Sequence, residues 1–236
     1  MTQEQPRTIA SLSKTFLRRL IPNYVLQQRG IIQRLGPRAG HIYARFRLLD
    51  AIGARSANQR LVPPSVRSFL FVCFGNIMRS AMAESLMRQA LRDAGVQEEI
   101  CITSAGLHAV PGREAHAWAQ TASLELGITL DSHRAKPLTE SMVEQADCIL
   151  TMDFQNKAEL LTLYPESQDK IYMLSAYAEG SWKYRQIPDP YLGDLEATRF
   201  CARELQICIR NLVISIFPSA ARIPRRESRD SQILQP

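Results

Sequence analysis

The chain has 236 residues, a formal net charge of +6 and a hydrophobic content of 45%, which predicts one domain of about 150 residues with appended segments. It contains no apolar run of about 18 residues, and its N-terminus lacks the apolar core of a secretory signal, so we expect neither a membrane-spanning nor a secreted protein. The five cysteines show neither CxxC nor histidine-paired spacing, which argues against a disulfide scaffold and a zinc site and favours a reducing cytoplasm.

The positive charge is concentrated in the N-terminal quarter of the chain. Residues 1–65 hold 11 lysines and arginines against two acidic residues, whereas the remaining 171 residues hold 18 against 21. Apolar residues alternate with arginines over residues 11–35 and 41–52, a pattern typical of short amphipathic helices. Pro22 and Gly30 are the predicted interruptions.

The sequence leaves three roles open for this basic extension. Its apolar faces fit packing on the domain behind the sheet. Its charge fits binding to an anionic surface through residues 11–52. That surface could be an acidic protein or the inner membrane, and in the second case the protein would be a peripheral membrane protein. Its arginine-rich, acid-poor composition also fits a cleaved organellar targeting peptide. Because the basic balance belongs to the extension and not to the domain, no nucleic-acid partner is expected.

Three parts of the chain are predicted: the extension with its linker over residues 1–65, a domain over 66–217, and a disordered tail over 218–236. Within the domain, apolar runs of strand length alternate with segments of helical period. The predicted strands cover residues 66–72, 100–104, 147–152 and 170–174, and the predicted helices cover 80–95, 113–126, 139–144, 156–164 and 195–216. This alternation predicts an α/β fold, a doubly wound four-stranded parallel sheet with helices on both faces.

The first strand-to-helix turn carries the strongest chemical signal. It places Cys73 at the carboxyl end of the strand and Arg79 at the amino end of the helix. Backbone N–H groups converge at such a turn and the helix dipole is positive there, so the site favours an oxyanion and stabilises the thiolate of Cys73. Arg79 can donate two N–H groups to two phosphate oxygens. Gly75 permits the tight turn, and Asn76 tolerates a positive φ.

The string Val-Cys-Phe-Gly-Asn-Ile-Met-Arg-Ser, residues 72–80, resembles the phosphate loop of the low-molecular-weight protein tyrosine phosphatases. The resemblance continues in the Thr-Ser-Ala-Gly segment ending at Gly106, in Ser-His-Arg-Ala around His133, and in the Asp-Pro dipeptide that begins at Asp189, which a proline also precedes. Two departures are Met78, where family members often carry a second cysteine, and Ala81, where they often carry proline.

The resemblance implies a reaction and a role for each matching residue. Cys73 would be the nucleophile, Arg79 the phosphate-binding cation, and Asp189 the general acid of a phosphotyrosine phosphatase that forms a phosphocysteine intermediate and needs no metal or cofactor. Protein phosphotyrosine would be the substrate, and in bacteria a tyrosine kinase is a partner by analogy. The implied phosphate and substrate contacts come from Phe74, Gly75, Asn76, Ile77, Met78, Ser80 and Tyr191, and Ser104 and His133 would support the loop.

Other functions stay open on the same scaffold. An arsenate reductase would relay electrons through further cysteines, and Cys201 and Cys208 lie two turns apart on one predicted helix. An inactive phosphopeptide-binding module would require the loss of a catalytic residue, which has not occurred. Ile77 stands where the family's phosphoarginine phosphatases carry threonine. After Gly106 the family usually presents a Trp or Tyr wall, whereas this chain has Leu-His-Ala-Val in a shorter segment.

Overall fold

The structure is a computed structural model, and it describes residues 23–54, 60–180 and 186–218. The predicted disordered lead, the first part of the extension with Pro22, and the predicted tail after residue 218 lie outside the described residues. The proposed boundaries at residues 65 and 217 stay predictions.

Four parallel strands form the sheet, as predicted. They are β1 (Ser68–Cys73), β2 (Cys101–Gly106), β3 (Cys148–Thr151) and β4 (Ile171–Met173), in the order β2-β1-β3-β4. Strand β1 pairs with β2 from Ser68↔Cys101 to Cys73↔Gly106, and with β3 on its other side. Parallel strands buried on both faces read as continuous apolar runs, and β1 and β3 have this pattern because helices cover both faces.

Six α-helices are described: α1 (Asn23–Ala51), α2 (Arg79–Asp93), α3 (Ala117–Glu125), α4 (Glu140–Gln145), α5 (Phe154–Leu163) and α6 (Leu195–Ile216). Helices α2, α3 and α6 pack together on one face of the sheet, and α4 and α5 cover the other. The last helix has the predicted bounds and buries the predicted Leu205, Cys208, Ile209, Leu212 and Ile216. The α/β fold inferred from the sequence is therefore confirmed.

The helix predicted from residue 113 begins only at Ala117. Residues before it form extended backbone instead, with an antiparallel bridge between Glu114 and Arg134 and a hydrogen bond from the Ala135 N–H to the Arg113 carbonyl (2.8 Å). The imidazole of His116 then caps α3 by accepting the Trp118 N–H at 3.2 Å. Pairing with a segment distant in sequence outweighs the local helical period here.

The predicted interruption of the extension at Gly30 is wrong. Gly30 lies inside α1, and the break is at Gly36, with φ 75° and ψ 179°, followed by Pro37. Proline disfavours helical backbone in the residue before it, and glycine adopts a positive φ at little cost, so this dipeptide breaks the helix more effectively than an isolated glycine. None of the described helices has the length and apolar character needed to cross a membrane.

Helix α1 packs on α5, behind the sheet. Ile31, Tyr43 and Phe46 are buried in a cluster with Phe154, Ala158 and Met173, and the predicted inward residues Ile42 and Leu49 are partly buried. The linker after α1 is also anchored, because the buried Val62 donates its N–H to the Tyr177 hydroxyl at 2.8 Å. Of the three roles left open by the sequence, packing on the domain is the one that the fold displays.

Candidate active site

The turn between β1 and α2 has the predicted geometry. Strand β1 ends at Cys73, α2 begins at Arg79, and Asn76 has φ 53°, the one positive φ of a residue other than glycine among those described. The Cys73 thiol is almost fully buried, with its Sγ 2.9 Å from the Ser80 hydroxyl oxygen and 3.3 Å from the Asn76 backbone nitrogen, which donates to it. The sulfur thus accepts one backbone N–H and lies within hydrogen-bond distance of one hydroxyl, surroundings that a nucleophilic cysteine can use.

Asn76 is the centre of a buried polar network that fixes the loop. Its Nδ2 donates to the hydroxyl oxygens of Ser80 and Ser104, each at 2.9 Å, and its Oδ1 accepts the Lys136 N–H at 2.8 Å. The His133 Nε2 lies 2.7 Å from the Asn76 carbonyl oxygen. The structure therefore brings Ser104 and His133 to the loop, and it places the side chains of Asn76 and Ser80, predicted as phosphate contacts, behind the loop and not in the pocket.

The network has a further member that the sequence analysis missed. Glu84, on α2, accepts the Ser104 hydroxyl at 2.6 Å. Its carboxylate orients Ser104 so that the serine oxygen faces the Asn76 amide. An acidic residue one turn into the helix after Arg79 is the signal that could have found it.

Arg79 is buried between two carboxylates. Its Nη1 donates to Asp153 Oδ2 at 2.6 Å and to the Ile187 carbonyl at 3.2 Å, and its Nη2 donates to Asp189 Oδ2 at 2.6 Å. Burial by itself lowers the pKa of the guanidinium, but Asp153 and then Asp189 outweigh burial and raise that pKa above its ordinary value. The cation stays charged, and its neighbours fix its direction.

Asp153 is the second residue that the sequence analysis missed. It lies two residues after the end of β3 and caps α5, since its Oδ1 accepts the Asn156 N–H at 2.7 Å while its other oxygen holds Arg79. An acidic residue at the carboxyl end of the strand beside β1 is the signal for this role, because the carboxyl ends of neighbouring parallel strands meet at one edge.

The pocket above Cys73 contains most of the predicted contact residues. It is lined by Cys73, Phe74, Gly75, Ile77, Met78, Arg79, His108, Val110, Arg113, Asp189 and Tyr191. His108, Val110 and Arg113 come from the segment after β2 and were not predicted. Among the described residues no group of three or more side chains could hold a metal ion.

Aromatic rings form the pocket walls in spite of the shortened segment after Gly106. The Phe74 and His108 rings lie 4.5 Å apart, and the Tyr191 ring meets the His116 ring edge-on at 5.9 Å. Phe74 and Tyr191 are 55% and 46% exposed, so both can contact a ligand. His108 also lies 2.6 Å from Glu159. His108 is exposed and lines the pocket, and the half-buried His116 contacts Tyr191, one of the lining residues.

Gly106 lets the second strand approach the loop closely. A Cβ at this position would lie 2.8 Å from Phe74 O, from Gly75 C and from Asn76 N. The backbone N–H groups of Leu107 and His108 donate to the carbonyls of Cys73 and Phe74 at 3.0 and 2.8 Å. The loop between β1 and α2 is thus held from outside by backbone that only glycine permits.

The remaining cysteines do not join the site. All five cysteines are free thiols, and Cys201 and Cys208 are fully buried in α6. Burial raises the pKa of both thiols, that of Cys201 to about 12. A relay of electrons needs accessible thiolates, so the predicted helical pair lacks the environment of a reductase.

A family model described as low molecular weight phosphotyrosine protein phosphatase matches residues 68–222. The chain belongs to this family. It is 34% identical over 143 residues to the protein-arginine-phosphatase of Bacillus subtilis (strain 168), covering 61% of this chain and 92% of that one. It is also 34% identical over 124 residues to the low molecular weight protein-tyrosine-phosphatase Etp of Escherichia coli (strain K12), covering 52% and 77%.

A solved phosphatase of this family has the same fold. The Erwinia amylovora tyrosine phosphatase AmsI is 29% identical, with a TM-score of 0.58, and the match covers 66% of this chain and 98% of that chain. The low molecular weight phosphatase fold therefore accounts for the domain, and the N-terminal helix α1 lies before the matched residues.

Proposed function

We propose that this protein hydrolyses phosphotyrosine in proteins through a phosphocysteine intermediate. The observation that carries the proposal is the placing of the Cys73 thiol and the buried Arg79 guanidinium at the base of a pocket with exposed aromatic walls. A phenyl phosphate needs an anion site at the base and an apolar slot above it, and this pocket offers both.

In the first step the Cys73 sulfur attacks phosphorus and the bond from phosphorus to the phenolic oxygen breaks. Backbone N–H groups of residues 74–79 and the Arg79 guanidinium hold the equatorial oxygens as their charge develops. Asp189, which takes up a proton from solvent when it leaves Arg79, gives that proton to the leaving oxygen. The Ser80 hydroxyl, 2.9 Å from the sulfur, stabilises the thiolate before attack.

In the second step Asp189, now a carboxylate, takes a proton from water as the water oxygen attacks phosphorus. The bond from phosphorus to sulfur breaks and inorganic phosphate leaves. The Ser80 hydroxyl again donates to the sulfur, which makes Cys73 a better leaving group. No metal ion takes part in either step.

Substrate binding has to open the ion pair between Arg79 and Asp189. The two groups lie 2.6 Å apart in the structure, and a phosphate group would take the Nη2 donor that now points at Asp189. Asp153 keeps its own hydrogen bond to Nη1, so Arg79 stays anchored while Asp189 becomes free to reach the leaving oxygen. Phosphate binding and placing of the acid are thereby coupled.

The test is a parallel assay of the purified full chain on phosphotyrosine, phosphoserine and phosphoarginine peptides, with and without EDTA, and on arsenate with thioredoxin. We expect the highest kcat/KM on phosphotyrosine, because the rings of Phe74 and Tyr191 contact an aromatic group and Ile77 offers no polar atom. Preference for phosphoarginine, loss of activity with EDTA, or reduction of arsenate would each overturn the proposal.

We also propose that the enzyme acts in the cytoplasm on proteins that include a tyrosine kinase, and that α1 holds it peripherally at the anionic inner membrane surface. The apolar face of α1 is occupied by α5, so the attraction is electrostatic and comes from the exposed Arg29, Arg34, Arg38 and Arg45. Each basic residue near such a surface contributes about 1 kcal/mol.

Sedimentation with anionic vesicles at low and high salt tests this placement. We expect salt-sensitive binding of the full chain and its loss in the triple variant Arg34→Glu, Arg38→Glu, Arg45→Glu. Equal, salt-independent sedimentation of the two proteins would refute it, and capture by an acidic protein in place of vesicles would replace the membrane as partner.

A further inference from the structure

Three consecutive residues at the junction of β3 and α5 support both charged groups of the active site. Asp153 holds the Arg79 guanidinium at 2.6 Å. The Met152 carbonyl accepts the Ile187 N–H at 2.9 Å, and the Phe154 N–H donates to the Gln186 side chain at 2.8 Å. The segment that carries Asp189 therefore rests on the same junction as the partner of Arg79.

The N-terminal helix α1 packs on this junction. The Phe46 ring packs on the Phe154 ring with centroids 5.7 Å apart and planes at 41°. Phe154 is fully buried and Phe46 is 7% exposed, and the Lys157 ammonium lies 5.3 Å from the Phe46 ring centre. Phe154 is the residue next to Asp153, so whatever fixes the Phe154 ring also limits the movement of the Asp153 backbone.

A short path thus joins α1 to the phosphate loop: the Phe46 ring packs on the Phe154 ring, Phe154 is the chain neighbour of Asp153, and the Asp153 carboxylate holds the Arg79 guanidinium. Without α1, Phe154 would face solvent at the first turn of α5, and that turn would be free to fray. Asp153, which caps α5 through the Asn156 N–H, would lose its fixed direction.

We propose that Phe46 is a positioning residue for phosphate binding. Helix α1, which precedes the family's phosphatase domain, thereby helps to orient the residues of the active site. It acts through Phe154 and Asp153 on the orientation of Arg79 and, by way of Gln186 and Ile187, on the Asp189 segment. The inference rests on the proposed function of Arg79 as the phosphate-binding group.

The experiment compares the full-length wild type with Phe46→Ala, Phe46→Leu and the control Leu48→Ala. Leu48 is on the same helix but is 62% exposed. The affinity for inorganic phosphate is measured by calorimetry, and kcat and KM are measured with p-nitrophenyl phosphate, at a temperature where circular dichroism shows every variant folded. We expect Phe46→Ala to weaken phosphate binding and to raise KM by about tenfold, Phe46→Leu by about two- to threefold, and Leu48→Ala to match the wild type.

A double-mutant cycle with Asp153→Asn separates positioning from general destabilisation. If Phe46 acts through Asp153, the combined variant binds phosphate about as weakly as Asp153→Asn alone. A Phe46→Ala protein with a lower Tm but unchanged phosphate affinity and KM would overturn the inference, and so would full additivity in the cycle. If Phe46→Ala does not fold, unchanged phosphate affinity in Phe46→Leu overturns it equally.

The phosphate measurement also keeps this inference apart from the proposed reaction. A wild-type protein that binds phosphate but does not hydrolyse phosphotyrosine would refute the proposed function and leave the positioning role of Phe46 to be judged by affinity alone.

Discussion

Cys73 and Cys148, on neighbouring strands, show that the carboxyl edge of the sheet and the interior of the protein core give the same side chain different surroundings. Cys73 and Cys148 are 3% and 0% exposed. At the edge, the Cys73 sulfur meets the Ser80 hydroxyl and the Asn76 N–H. In the interior, burial and then the charge of Asp147 raise the pKa of the Cys148 thiol. Burial alone suppresses thiol chemistry, and burial beside oriented donors supports it.

Substitutions of Cys73 and Cys148 are expected to show the largest difference in activity between the two positions. We expect Cys73→Ser to abolish turnover of p-nitrophenyl phosphate, because serine is not ionised at neutral pH. Cys148→Ala should keep kcat within a fewfold of the wild type while it lowers the unfolding free energy. Measurable turnover by Cys73→Ser, or its loss in a folded Cys148→Ala, would contradict the assignment of the nucleophile.

The edge also holds the proposed acid. Asp189→Ala should lower kcat for phenyl phosphate by roughly 10²–10⁴-fold, because the phenolate then leaves without a proton. The loss should be smaller for p-nitrophenyl phosphate, whose leaving group needs less help from an acid. Equal losses on the two substrates, from steady-state assays at one pH, would argue that Asp189 acts only as a partner of Arg79.

A substitution at Gly106 tests how strongly catalysis depends on the close backbone contact between β2 and the loop after β1. Gly106→Ala should lower kcat/KM by roughly 10²-fold, because the methyl group would displace loop backbone that lies 2.8 Å away. The measurement is steady-state kinetics together with thermal unfolding. A fully active Gly106→Ala protein would show that the loop can shift without cost.

The burial of Cys148 predicts that the stability of the protein depends on pH. The Cys148 thiol has a raised pKa in the folded state and an ordinary value of about 8.5 in the unfolded state, so above that pH the unfolded state ionises first. Below pH 8.5 the neutral Cys148 thiol makes its full contribution to the free energy of unfolding. Above pH 8.5 that free energy falls as the pH rises, by about 2 kcal/mol at pH 10. Urea unfolding at pH 7 and pH 10 should show a larger loss in the wild type than in Cys148→Ala. Lys157, whose pKa burial lowers to about 8, changes stability in the opposite direction but equally in both proteins.

The smallest effect is expected for a replacement of Gly30 in α1. No atom lies within 4 Å of a Cβ at Gly30, and this glycine is helical. Gly30→Ala should therefore stabilise the protein by about 0.5–1 kcal/mol and raise Tm by about 1–4 °C without a change in kcat/KM. A decrease in Tm would mean that α1 is not continuous through Gly30.

The sequence alone was sufficient where the chemistry is local. Cys73, Gly75, Asn76 and Arg79 lie within one strand-to-helix turn, and their spacing determines which backbone N–H groups converge and where a positive φ is needed. The strand and helix pattern likewise determined the parallel sheet, because period and run length depend on near neighbours. Residues far along the chain, such as Asp189 and His133, were found through the family resemblance and not through local pattern.

The tertiary structure decided the contacts between residues that are distant in sequence. Asp153 meets Arg79 across 74 positions because β1 and β3 are neighbours in the sheet, and no local period encodes that order of strands. Gly36, not Gly30, breaks α1, because a following proline and the packing on α5 outweigh the weak preference of a single glycine. The apolar face of the extension could have bound a membrane or packed on a helix. In the fold it packs on α5, where the Phe46 ring contacts the buried Phe154 ring.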